Sequence, residues 1–115
     1  MQFESSQELL HKVKTLDLYE KLVLQIEKDF LRANIDIKIG ASMSGIELEE
    51  KIQEKLYVLL LERFDEYLNL LYVIDISENN LEYIRTSDVV EVSKQMCFFI
   101  LKREFQKVWY KSQYS

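Results

Sequence analysis

The sequence predicts an all-α fold: an antiparallel bundle of three long helices with a short additional helical turn near residues 78–85, in one domain spanning 1–115. Three observations carry this. No proline interrupts the 115 residues, and Gly40 and Gly45 are the two glycines, so the usual punctuation of turns is nearly missing. Turns must come instead from a few Ser, Asp and Asn signals. Apolar side chains also recur at steps of three and four over long stretches, the spacing of a helical stripe.

The first helix opens at Ser5-Ser6-Gln7-Glu8, the Ser-x-x-Glu pattern of a capping box. Leu9, Val13, Leu16, Tyr19, Val23, Ile26 and Phe30 then follow one stripe. Asp17-Leu18-Tyr19-Glu20 offers a second box and a restart near Thr15, but the stripe passes through without a jump of phase. That continuity favours one helix from about residue 6 to 34. The main break is 34–44. Ile35, Ile37 and Ile39 alternate with Asp36 and Lys38, a period of two that suits an extended segment along an apolar groove.

Ser44-Gly45-Ile46-Glu47 caps a second helix, expected from about 45 to 74. Its first half is charged, and Leu56-Tyr57-Val58-Leu59-Leu60-Leu61 is apolar all round, so that segment needs neighbours on several sides. Thr86-Ser87-Asp88 starts the last helix, in which Met96-Cys97-Phe98-Phe99-Ile100-Leu101 is again apolar throughout. A helix of 28 residues would be about 42 Å long. Three such rods make a thin core with apolar surface to spare.

The function classes are bounded more by exclusion than by a motif. Six apolar residues in a row fall far short of the roughly 20 of a membrane span, and the first residues carry no basic-apolar leader, so a cytoplasmic protein without a membrane partner is expected. Cys97 alone cannot form an intramolecular disulfide, and its apolar neighbours mark it as a small buried hydrophobe. No phosphate loop, Cys-x-x-Cys pair or nucleophile elbow is visible. Glu8 and His11 have the spacing of a di-iron half-site, but one histidine cannot complete it within a chain, and no cofactor or metal is expected. Asp65-Glu66 among Arg63, Phe64 and Tyr67 is the most conspicuous acidic intrusion, read as a solvated edge or an arginine partner rather than a general base. Asp75, Glu78, Asn79 and Asn80 lack the glycine and spacing of a calcium loop and read as turn formers. Catalysis is not expected.

Two segments suggest recognition. Tyr57, Leu61, Phe64, Leu68, Phe98 and Leu101 are the expected self-association surface, which makes a second copy of the chain, as a homodimer, the first partner to consider. Lys102, Arg103, Lys107, Trp109, Tyr110 and Lys111 form a basic-aromatic segment. Across 102–111, four cations and one acid give +3, leaving −8 on the rest of a chain whose net charge is −5. Such a segment can grip single-stranded nucleic acid. The acidic balance elsewhere favours instead an acidic protein partner, or a plain role in completing the core and the helix dipole. The leading expectation is therefore a non-catalytic interaction or scaffold module acting as a homo-oligomer. The alternatives are a regulatory nucleic-acid binder, and a helical enzyme or carrier with a cavity lined by Tyr57, Tyr67, Tyr72 or Tyr83.

Overall fold

Helix ends decide how this chain is laid out. The structure, a computed structural model, describes residues 2–40, 42–77 and 88–114, so the turn expected near 78–85 lies outside the described residues. Five helices are present among those residues: α1 (Ser6–Thr15), α2 (Tyr19–Arg32), α3 (Gly45–Glu62), α4 (Phe64–Ile74) and α5 (Val89–Tyr114). The protein is all-helical, as the sequence predicts. Two of the three expected rods, however, are each broken in two.

The first break is a Schellman motif. Asp17 takes the left-handed conformation at φ 58°, while the Leu18 N–H donates to the Val13 carbonyl and the Asp17 N–H to that of Lys14, both at 3.0 Å. The apolar stripe continues in phase on either side, so periodicity alone conceals the stop. Asp17-Leu18-Tyr19-Glu20 is thus a helix end and not a capping box, and α2 starts with no side-chain cap. The same device ends α2: Asn34 has φ 62°, and the Ile35 N–H reaches the Phe30 carbonyl at 2.9 Å. It ends α4 as well, with Asp75 at φ 68° and Ile76 donating to Leu71 at 3.1 Å. In all three, the residue after the left-handed position (Leu18, Ile35 or Ile76) is buried. Neither glycine has a positive φ.

The second expected rod breaks at Arg63, whose φ of −143° and ψ of 59° lie outside the helical region. The Arg63 N–H still donates to Leu59, and its carbonyl accepts from Tyr67, so the break changes direction without leaving these groups unpaired. It lets α3 pack on α1 while α4 packs on α2.

The caps at the remaining starts follow the sequence. Ser44 and Glu47 form a complete capping box on α3. At α1 only half the box is made: Ser5 Oγ accepts from the Glu8 N–H at 3.1 Å, and the Glu8 carboxylate turns to Glu4 instead. Asp88 caps α5, its Oδ1 accepting from Val90 at 3.0 Å. Between α2 and α3, Ile35, Ile37 and Ile39 are buried and Asp36 and Lys38 exposed, the alternation expected of an extended segment.

α5 touches all four other helices, α3 most extensively. Met96, Cys97, Ile100 and Leu101 are fully covered on it, and its neighbours supply Leu9, Val13, Leu22, Ile26, Phe30, Leu48, Ile52, Leu56 and Leu70 to the same continuous core. The longest dimension is 37 Å, shorter than a rod of the expected length, and the shape is correspondingly thicker. Among the described residues, no helix is long and apolar enough to cross a membrane.

Candidate functional site

The stripe that the sequence singles out divides in two. Tyr57 and Leu61 lie one turn apart on α3, and Phe64, Leu68 and Tyr72 lie one turn apart on α4. Tyr57, Leu61, Phe64 and Leu68 are 40%, 55%, 53% and 49% exposed, and Tyr72 is more open still. These are large apolar groups left in water. Arg63 and Glu66 stand beside them, paired with each other at 3.4 Å, and Asp65 is exposed next to them. The structure therefore puts Asp65 and Glu66 on a solvated edge.

Two residues expected on that stripe lie elsewhere. Leu101 is fully buried in the core of its own chain, because α5 is surrounded and keeps no outward apolar face at that turn. Phe98 borders a cleft with Ser5, Ser6 and Gln95. Its neighbour Cys97 packs level with Glu49, donating to that carbonyl at 3.6 Å. Phe98 is thus level with a turn of α3 well before Tyr57.

The basic-aromatic segment is largely engaged within the chain. Arg103 clamps the end of α4, donating to the Asp75 carbonyl at 3.1 Å and to its carboxylate at 3.2 Å. Lys111 donates to Gln25 at 2.8 Å. Trp109 is half-buried against the core and near Phe105, whereas Tyr110 is exposed and stacks with Tyr114 at 4.6 Å. Lys102 is half-buried.

Lys107 leads to the feature that the sequence reading missed. Its ammonium lies 2.7 Å from Asp29 Oδ2 and 3.3 Å from Glu104 Oε1, and both acids are completely buried. Gln25 also donates to Asp29, at 3.2 Å. Burial pushes the Glu104 carboxyl up to about 9, and the hydrogen bond and charge of Asp29 add to that rise against the weaker pull of Lys107. Burial works against the charge of Asp29 too, but hydrogen bonds from Glu104, Lys107 and Gln25 outweigh it and hold its pKa below the ordinary value. Near neutral pH the cluster therefore reads as a protonated Glu104, an ionised Asp29 and a Lys107 cation. Lys107 offsets the Asp29 charge on one oxygen and the exposed Arg32 lies 3.7 Å from the other, which is what makes so polar a group tolerable inside a small core.

The signal for it is in the sequence. Glu104 falls three residues after Leu101 and four before Val108, on the apolar face of α5, and Asp29 falls three after Ile26 on α2. The groove of about 320 Å³ beside the pair is lined by Gln25 and Lys111 but by neither acid. The arrangement is that of an internal tie between α2 and α5. The tyrosines are dispersed: Tyr67 is buried, Tyr57 lies on the α3 surface, Tyr72 lines a cleft beside Ser77, and Tyr83 lies outside the described residues. His11 is exposed, and among the described residues no group of three or more His, Cys, Asp or Glu side chains gathers as metal ligands do. Comparison with protein-family models, with curated proteins and with solved structures returns no match.

Proposed function

We propose that the chain is a non-catalytic interaction module that works as a homo-oligomer, most simply a two-fold dimer, through the exposed stripe of α3 and α4. The observation that carries this reading is the row of half-exposed Tyr57, Leu61, Phe64 and Leu68. Covering a large apolar side chain is worth roughly 1.5–3 kcal/mol when burial is complete, and proportionately less for groups already half covered. Four such groups, doubled by symmetry, are enough to favour association.

A second copy suits the row better than an arbitrary partner because the row is flanked by both signs of charge. Arg63 and the neighbouring Asp65 and Glu66 sit at its middle, so a two-fold axis there brings cation to anion in both directions. The 35–39 segment does not cover the row: Ile35, Ile37 and Ile39 are buried in the core while Tyr57, Leu61, Phe64 and Leu68 stay exposed.

Sedimentation equilibrium tests the reading. The expected result at tens of micromolar is a mass near twice 13.8 kDa, reverting to the monomer in a Leu61→Glu/Leu68→Glu variant whose helical content is unchanged. A clean monomer for the parent chain overturns the dimer.

A further inference from the structure

A second surface, sharing no residue with the α3–α4 stripe, is a groove of about 320 Å³ between α2 and the end of α5. Its apolar lining comes from Leu24, which is 62% exposed, and from Val108, which is nearly covered. Three ammonium groups surround this trough, those of Lys21, Lys28 and Lys111, and no carboxylate lines it. Lys21 and Lys28 are exposed, and among the described residues neither has a carboxylate within ion-pair distance.

Lys111 is different, because it is held in place. Its Nζ donates to Gln25 Oε1 at 2.8 Å, and the Gln25 amide is anchored in turn on the buried Asp29 at 3.2 Å. One cation at the mouth of the groove is thus already ordered, which reduces what a ligand must spend on ordering it. Along α2 the exposed row runs Lys21, Leu24, Lys28, Leu31, cation and leucine in alternation at helical spacing.

We propose that this groove docks an acidic segment of another protein. An apolar side chain of that segment seats between Leu24 and Val108, and its flanking carboxylates pair with Lys21, Lys28 and Lys111. Charge decides the chemistry of the partner: a local cluster of unpaired cations on a chain of net charge −5 is complementary to acids alone. Shape decides between an acidic peptide and an anionic membrane. Val108 lines the groove but is only 4% exposed, so an inserted side chain reaches it more readily than a flat lipid surface.

The test uses the full chain, labelled with nitrogen-15, and a blocked peptide Glu-Glu-Leu-Glu-Glu-Leu-Leu-Glu-Glu. Saturable shifts of the amides in 21–28 and 108–112 are expected. The Lys21→Glu/Lys28→Glu variant, altered only at exposed positions, is expected to bind about tenfold more weakly and to prefer the counterpart peptide with Lys for Glu. A peptide with Ser for Leu is expected to lose binding as well. The proposal is overturned if the acidic peptide gives no saturable shifts at millimolar concentration, if the shifts fall outside the groove, or if charge reversal leaves binding unchanged. Binding to phosphatidylserine vesicles through the same amides, without binding of the peptide, overturns it in favour of a lipid surface. Because the stripe variant Leu61→Glu/Leu68→Glu leaves the groove untouched, failure of the dimer and failure of the groove are separately visible.

Discussion

A protonated glutamic acid inside a small core makes the pH dependence of stability an individual property of Glu104. In the folded chain its pKa stands at about 9 against an ordinary 4.5. Between those values the folded state keeps a proton that the unfolded state releases, so this group's contribution is fully present below about 4.5 and declines as pH rises, by about 1.4 kcal/mol per unit. Glu104→Gln keeps the shape and a donor for Asp29 without that decline. Urea unfolding should find the variant more stable than the parent by about 2 kcal/mol or more at pH 8, with the gap closing near pH 4. A parent at least as stable as the variant at pH 8 would mean that Glu104 is ionised in the fold. Asp29 behaves in the opposite sense, contributing stability above the ordinary carboxylate range and losing it on acidification. Asp29→Ala removes the nearer of the two carboxyl groups beside Lys107 and leaves a buried gap, and a loss of about 3 kcal/mol at pH 7 is expected from the same unfolding curves. The cluster was only partly legible. Glu104 sits among Lys102, Arg103 and Lys107, which reads as a solvated charged face, and only its place in the three-and-four stripe betrays that it points inward. Asp65 and Glu66 stand out through their aromatic neighbours, yet only Tyr67 turns into the core, while Phe64 and Asp65 are exposed.

At the scale of the element, helix existence was readable and helix ends were not. The apolar stripe correctly places helix through most of the first 32 residues and from 45 to 74, because packing fixes the period. The stops depend on something periodicity does not carry: an Asp or Asn accepting a left-handed backbone, with apolar residues five apart to close the motif. Val13 and Leu18, Phe30 and Ile35, and Leu71 and Ile76 all have that spacing around Asp17, Asn34 and Asp75. Searching for glycine at helix ends misses every one. The exposed Asn34 isolates the cost of this choice, since no partner is lost with its side chain among the bonds that close the motif. Asn34→Gly should raise thermal stability slightly, and Asn34→Val should lower it by about 1–2 kcal/mol, since a branched side chain resists positive φ. Equal melting temperatures for the two variants would show that the left-handed turn is not maintained in solution.

For the whole molecule, the decisive feature is the position of α5 among all the others. A fragment comprising 1–88 lacks the helix with the most extensive contacts to the others, and it should show no cooperative thermal transition by circular dichroism. Adding a peptide of residues 89–114 in trans should restore one; a fragment that melts cooperatively alone would refute the central role of α5. The order of synthesis gives that position a further meaning. α5 follows the four helices it organises, and its contacts with α1 close a loop of roughly eighty residues, the slow kind of contact in folding. While the chain is still being extended, Leu9, Leu22, Ile52 and Leu70 can meet one another but lack the α5 side chains that complete their packing. Until α5 is available the four helices before it hold an incomplete core, so their packing is expected to be finished together with that of α5 rather than helix by helix.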